Sequence, residues 1–402
     1  MRTLALPLEP DEFQAGLDML RFDYHKWDIF HRGQTNVLPD VLVLSQAEHE
    51  QLVDIATETW QALRELEAQV VADPALLKAV GVPDEVAAMI QYDRGQNPRL
   101  SRCDFHLTAQ GRWVITEFNE DGPGGLIEGA GIEAVLASQW AERLDGLTCV
   151  GELPKAICGA LAEWPRIGLV HATAYTEDLQ SISLVARWLE AAGHHAVMGS
   201  PANLVFEDGQ AMMFGEPVDA LFRYYPGEWL GELPNAKCWR QAAESLPMMN
   251  GLGALAAQSK RFYAVPVEHD IDLSDSARLA IDSHLPQTRY LRPEMGDQLV
   301  AEQADWVIKG IFGRMGDSVR AGVAFRPEKW HAKVEDALAE ADQHAVQQRF
   351  DSPPLWFSNG LGYANIGLFL VDGRFAGYYS RVSPYPLIDY DSAHVATMVE
   401  VS

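Results

Sequence analysis

The stretch SRCDFHLTAQGRWVITEFNEDGPGG, residues 101–125, constrains the fold of this chain more than any other. Two alternating runs, Leu100 to Leu107 and Trp113 to Asn119, flank Gln110-Gly111, a pair suited to a two-residue hairpin turn. Such a turn sets Asp104 across from Glu117 and Arg102 across from Asn119. All four side chains then share a face, because residues two apart along a strand point the same way. The opposite face carries Cys103, Phe105, Leu107, Val114, Thr116 and Phe118, a mostly apolar set suited to a core.

A sheet face of Asp, Glu and Asn oxygens beside an arginine suits Mg²⁺ held against phosphate. That cation takes few protein oxygens and fills its octahedral shell with water and phosphate oxygens. Two carboxylates directly across a strand pair also repel by some tenths of a kcal/mol, so a cation between them relieves an unfavourable arrangement. The plainer alternative is a surface hairpin in which Arg102 neutralises the acids.

The string R-C-D, a short hairpin, then T-E-F-N-E-D-G-P resembles the R-x-D … E-Y-N-x-D-x-P signature of the glutathionylspermidine synthase family, a circularly permuted branch of the ATP-grasp ligases. LFRYYPGEWL at 221–230, QSK at 258–260, VIKGIFGRMG at 307–316 and a late hairpin ending in Arg381 follow in the family's order. The resemblance implies an α/β (α+β) fold, a circularly permuted ATP-grasp with a pre-ATP-grasp-like parallel sheet layer. It also implies an ADP-forming carboxylate–amine ligase that uses ATP and Mg²⁺ on a small-molecule carboxylate and an amine, such as a peptide with a polyamine or amino acid.

Carried onto this chain, the resemblance makes Asp104, Glu117 and Asn119 the metal ligands. Lys260 and Lys309 would hold the nucleotide, Gly313 and Gly316 would lie in a loop closing over its phosphates, and Gln347 would sit near its base. Gln348 competes with Gln347 because a one-residue shift flips the face. Arg381, Arg314 and Arg102 would stabilise the acyl phosphate and the charge that grows in the transition state, and Glu228 would lie near the amine. Each has a plainer reading: Lys260 a solvated helix residue, Arg381 a surface ion pair, Glu228 a helix cap. The chain departs from the family at Gly310, where proline usually follows the lysine. It departs again at Gly122-Pro123-Gly124-Gly125, where hydroxyl or thiol residues help bind glutathione, and this leaves the carboxylate substrate open.

With 402 residues, 48% of them hydrophobic, the chain can bury a sizeable core. Its formal charge of -26 disfavours nucleic-acid and anionic-lipid partners and favours cationic ones, the plainer reading being a solubility feature alone. Four cysteines without CxxC spacing read as reduced thiols of a cytoplasmic protein, and no apolar run is long enough for a membrane span or a signal peptide. Along the chain we expect a helical part over 1–95, with DYHKWDIF as packing, then the metal-binding hairpin segment over 96–150. A pre-ATP-grasp-like α/β unit over 151–245 follows, with a helix in TEDLQSISLVARWLEAAGHH opened by a threonine cap between strands RIGLVHA and HAVMGSP. The lid and nucleotide-binding part over 246–402 includes an Asp372-Gly373 hairpin. The absence of G-x-G-x-x-G disfavours a dinucleotide site. Two other functions use the same phosphate apparatus: a non-catalytic ATP-binding regulator or scaffold, and a small-molecule kinase.

Overall fold

The computed structural model describes residues 1–92, 97–313, 318–389 and 391–401. The 101–125 stretch does form a hairpin, at the edge of a nine-stranded sheet. Along the sheet run Arg2–Ala5, Val37–Leu44, Ala393–Glu400, Arg374–Ser383, Gly360–Val371, Leu100–Leu107 and Trp113–Asn119, with Leu355–Phe357 and Leu147–Thr148 attached at its margins. Neighbours are antiparallel except that 393–400 runs parallel to 37–44. The Asp372-Gly373 turn has both residues left-handed, at φ 49° and 75°, and pairs Val371 with Arg374.

Within the hairpin the turn and the register differ from the sequence expectation, and the two differences cancel. The Thr108 N–H donates to the Arg112 carbonyl at 2.8 Å, which leaves a three-residue loop with Gly111 at φ +76° in the left-handed region that favours glycine. Near the turn the pairs are therefore Leu107 with Trp113, His106 with Val114 and Phe105 with Ile115. A bulge between Cys103 and Phe105 then absorbs one residue and restores Cys103 opposite Phe118 and Arg102 opposite Asn119. Trp113 and Ile115, rather than Val114 and Thr116, accordingly join Cys103, Phe105 and Phe118 in the core. That choice puts the larger apolar pair in the main cluster, while Val114 is buried outside it.

A wholly helical part over 1–95 is corrected by strands 2–5 and 37–44, both in the main sheet. In VLPDVLVL, Leu42 and Leu44 pack toward the Gln46–Ala72 helix while Val41 and Val43 pack toward Leu126–Gln139. A strand buried on both faces reads as a continuous apolar run with no period-2 signal, which is why the pattern does not separate it from helix. The 46–72 helix does form, opened by a Ser45/Glu48 capping box, with Leu52, Leu63, Leu66 and Val70 buried.

A second sheet is all parallel, in the order Met248–Met249, Ala220–Tyr224, Arg166–His171 and His195–Gly199. The helix Thr176–Ala191 crosses over between the last two strands; its N-cap is Tyr175, with no side-chain cap bond, so Thr176 belongs to the first turn. The carboxyl ends of these strands face the hairpin. There Arg223 and Asp121 form a completely buried ion pair at 2.6 Å, and Asp121 also accepts the Gly227 N–H at 2.7 Å, tying the parallel layer to the end of the 113–119 strand.

The third sheet, antiparallel, runs Thr288–Tyr290, His344–Gln348, Trp306–Gly310, Val319–Ala321. One face packs Trp306, Ile308 and Val346 on Trp330 and Val334 of the helix Pro327–Ala339. The other face presents Val307, Lys309, Val319, Ala321 and Gln347, joined by the register Val307 with Ala321 and Gln347, and Lys309 with Val319. Gly310, in the place of the family's proline, donates its N–H to the Ser318 carbonyl at 3.2 Å, a bond that proline could not make. Among the described residues no helix is long and apolar enough to cross a membrane, and the four cysteines are unpaired.

Candidate active site

A cavity of about 720 Å³ opens where the hairpin face, the third sheet, the carboxyl ends of the parallel strands and the 374–400 strands meet. Arg102, Asp104, Glu117, Asn119, Lys260, Lys309, Gly313, Gln347 and Arg381 all line it. Arg314 and Gly316 lie outside the described residues. Glu228 stands apart: it sits half-buried in the 227–232 turn, and its neighbour Trp229 reaches the cavity instead.

Two arginines grip one carboxylate. Arg102 donates from Nε and Nη2 to the two Asp104 oxygens at 2.8 and 3.1 Å, and Arg381 adds a bond from Nη2 to Oδ2 at 2.7 Å. Both guanidinium carbons lie over the Tyr379 ring, 4.9 and 5.2 Å from its centroid. Room for that ring comes from Gly125, at φ +90°, where a Cβ would stand 2.7 Å from the Tyr379 ring carbons. Arg102 also donates to the Gly124 carbonyl at 2.6 Å, so part of the Gly-Pro-Gly-Gly segment orients the arginine.

Across the bulge, Lys260 pairs with Glu117 at 2.9 Å and Lys309 donates to the Thr116 carbonyl at 3.3 Å. Lys260 is only 3% exposed, far from a solvated helix position. Burial pushes the Glu117 carboxyl up, but Lys260, Lys309 and Arg102 outweigh it and hold the group well below the usual carboxylate range. Burial draws the Lys309 ammonium down to about 8, Glu117 and Asp104 only partly opposing it. Four cationic side chains thus surround two carboxylates, leaving a locally positive patch in a chain of formal charge -26. Gln347 shares the face of Lys309 and donates to Thr288 Oγ1 at 3.1 Å; Gln348 also reaches the cavity, at the strand end.

The far end of the cavity has the opposite sign. Lys26 and Asp28, from the DYHKWDIF segment expected only to pack, line it together with Glu128, Glu177 and Asp178. The Lys26 ammonium is buried between Glu128, at 2.7 Å, and Asp28, at 2.8 Å. Burial raises the Glu128 carboxyl, yet Lys26 and then His394 pull it down to about 2. Glu177, at the start of the 176–191 helix, is pushed up by desolvation and by Asp28. DYHKWDIF resembles the family's aromatic-rich opening but is read from sequence as packing, and only the fold brings residue 26 beside residue 177. His106 and Asn365 also line the cavity; His106 continues the Arg102, Asp104 alternation, and that spacing is the signal that marks it.

The metal ligands expected from the sequence converge: the Asn119 amide nitrogen lies 3.5 Å from Asp104 Oδ2 and 3.4 Å from Glu117 Oε1. The amide donates between two carboxylates, and rotating it would turn its oxygen inward, so Asp104, Glu117 and Asn119 together would suit a hard cation such as Mg²⁺. Among the described residues no three His, Cys, Asp or Glu side chains are placed to hold a metal by themselves. The rest of the shell would therefore be water and substrate oxygens, as Mg²⁺ prefers.

The sequence matches the glutathionylspermidine synthase preATP-grasp family over residues 7–400, and the chain belongs to that family. No curated protein matches in sequence. Among solved structures, a glutathione synthetase-like effector from Globodera pallida in its apo form is similar at 10% identity with a TM-score of 0.66, the match covering 98% of this chain and 99% of that one. A gamma-glutamylcysteine synthetase-like protein from Methylobacillus flagellatus KT is similar at 13% identity and a TM-score of 0.45, covering 79% of this chain and 84% of that one. The mixed α/β architecture is thus that of a glutathione synthetase-like fold.

Proposed function

We propose that this member of the glutathionylspermidine synthase preATP-grasp family is an ADP-forming carboxylate–amine ligase. The observation that carries the reading is the two-signed cavity. Four cations around Asp104 and Glu117 suit a nucleoside triphosphate, and a carboxylate-lined far end suits a cationic amine.

In this reading the γ-phosphoryl group of ATP passes to a substrate carboxylate, giving an acyl phosphate and ADP. The amine, having lost its ammonium proton, then attacks the acyl carbon and phosphate leaves as the amide forms. Mg²⁺, held by Asp104, Glu117 and Asn119, would neutralise phosphate oxygens. Lys309 and Lys260 hold the nucleotide, and Gln347 faces its base. Arg381 and Arg102, fixed on Tyr379 and Asp104, donate to the oxygens on which charge grows. Asp28, Glu128, Glu177 and Asp178 orient the amine.

The test is ATP turnover against a panel of amino acids, short peptides and polyamines. ADP release that requires both a carboxylate and an amine, in equal amounts with amide product, supports the reading. Release that needs no amine makes the protein a kinase, and tight ATP binding without release makes it a nucleotide-dependent regulator.

A further inference from the structure

We infer that His106 is a nucleotide-binding residue, whose Nδ1–H donates to an oxygen of the nucleoside triphosphate and whose tautomer is set by Arg381 through Asn365. The inference rests on the nucleotide reading of the cavity given above. Along the 100–107 strand, Arg102, Asp104 and His106 share one face at intervals of roughly 6.5–7 Å. Arg102 stands at the acyl-transfer end. His106 stands at the other, its ring 5.7 Å from that of Phe350, which lines the cavity just beyond Gln347.

The hydrogen bonds fix the proton. Asn365 is buried to 1% exposure; its Oδ1 accepts from Arg381 Nη2 at 2.8 Å, and its Nδ2 donates to the Phe105 carbonyl at 3.2 Å. A guanidinium only donates and a carbonyl only accepts, so the orientation of this amide is determined. The same Nδ2 lies 3.1 Å from His106 Nε2, which must therefore accept. An imidazole accepting at Nε2 carries its hydrogen on Nδ1. Among the described residues Nδ1 has no hydrogen-bond partner in the protein, and it is not one of the buried atoms sealed off without one. An oriented donor is thus left open in a cavity lined by Lys309, Lys260 and Arg381. The ligand that completes it is anionic and rich in oxygen.

Calorimetry with Mg·ATP on the whole protein, together with ¹⁵N NMR of the imidazole nitrogens, tests this. Wild-type protein should bind Mg·ATP and show the hydrogen on Nδ1. His106→Phe keeps a ring against Phe350 but loses the donor, and should weaken ATP binding roughly three- to tenfold. His106→Asn places an amide N–H near the Nδ1 position and should recover most of that loss, an order a purely structural role would not produce. Equal affinity in wild type and His106→Phe, or a hydrogen on Nε2 in the NMR spectrum, overturns the inference and leaves the nucleotide reading standing. Absence of any nucleotide binding by the wild type overturns both. Where a substituted protein does not fold, the wild-type Nδ1 resonance decides: a shift on adding Mg·ATP supports the contact, and an unmoved resonance with ATP bound overturns it.

Discussion

Lys309 and Arg381 both reach the same hairpin face, yet in the proposed reaction their surroundings suit them to different work. Lys309 is a buried ammonium with its pKa drawn down to about 8; it lines the cavity and, among the described residues, donates only to the Thr116 carbonyl. Lys309→Ala should lower ATP affinity ten- to a hundredfold, the scale of a charge-assisted bond of about 1.5–3 kcal/mol. The ammonium form binds phosphate and exists below the free-protein pKa, so wild-type affinity should be flat below pH 8 and fall above it. Calorimetry across pH checks this; a slope that survives in Lys309→Ala would sink the assignment. Arg381 is held by Asp104, Asn365 and Tyr379, which in the proposed reaction makes it a pre-set donor for charge that develops later. Arg381→Ala should cut the ligation rate by about two to three powers of ten and leave ATP affinity within a few-fold. Equal losses of affinity and rate would place it on the nucleotide instead. These residues were legible in the sequence because short motifs carry them. Lys26, in a segment read as packing, and Glu128 and Glu177, in no motif, were not, since no local pattern shows which residues meet only in the folded chain.

At the scale of elements, the hairpin bulge does the aiming. Thr116 and Glu117 both stand opposite Asp104, and Thr116 lends its carbonyl to Lys309. Deleting Thr116 leaves a regular ladder with Ile115 and Phe118 still facing the core, so the protein should fold, while Glu117 shifts along the strand. Turnover should drop about a hundredfold, the cost of a 1 Å misplacement; retained activity with a normal melting temperature would show that the bulge does not position Glu117. A two-residue turn was the natural reading of Gln110-Gly111, and no sequence rule foretells a compensating bulge. The Leu126–Gln139 helix carries a different liability. Burial lifts its Glu133 carboxyl to about 8, the Gly151 backbone N–H only partly opposing. Native protein thus holds a proton that the unfolded chain releases above its ordinary value of 4.5. The associated stability is fully present below that value and is lost as pH rises to 8, at about 1.4 kcal/mol per unit. Glu133→Gln should flatten this fall, raising the melting temperature at pH 8 relative to wild type more than at pH 5; identical profiles would mean that the carboxyl is ionised in the native state.

The whole molecule sets a two-signed recess, cationic around the hairpin face, in a strongly negative body. On the proposed reading, the formal charge of -26 repels a nucleotide approaching from a distance, and the cations of the hairpin face attract it only inside the cavity. Salt screens the former over about 10 Å and the buried contacts far less, so the association rate of Mg·ATP should rise a few-fold between low and physiological salt. Stopped-flow traces that slow with salt would mean that attraction reaches beyond the mouth. The sequence disclosed the net charge and the parallel layer, the latter through a strand–helix–strand pattern of clear period. It could not disclose that the Ala393–Glu400 strand lies between Val37–Leu44 and Arg374–Ser383. On a ribosome this order matters. The edge of 37–44 that 393–400 will cover emerges roughly 350 residues before its partner, and at 5–20 residues per second it waits about 20–70 s uncovered. An apolar V-L-V-L segment with an open row of backbone groups is the kind of surface that holdase chaperones shield, so nascent chains stalled short of residue 393 should be found with chaperones or in aggregates, whatever the stability of the finished protein.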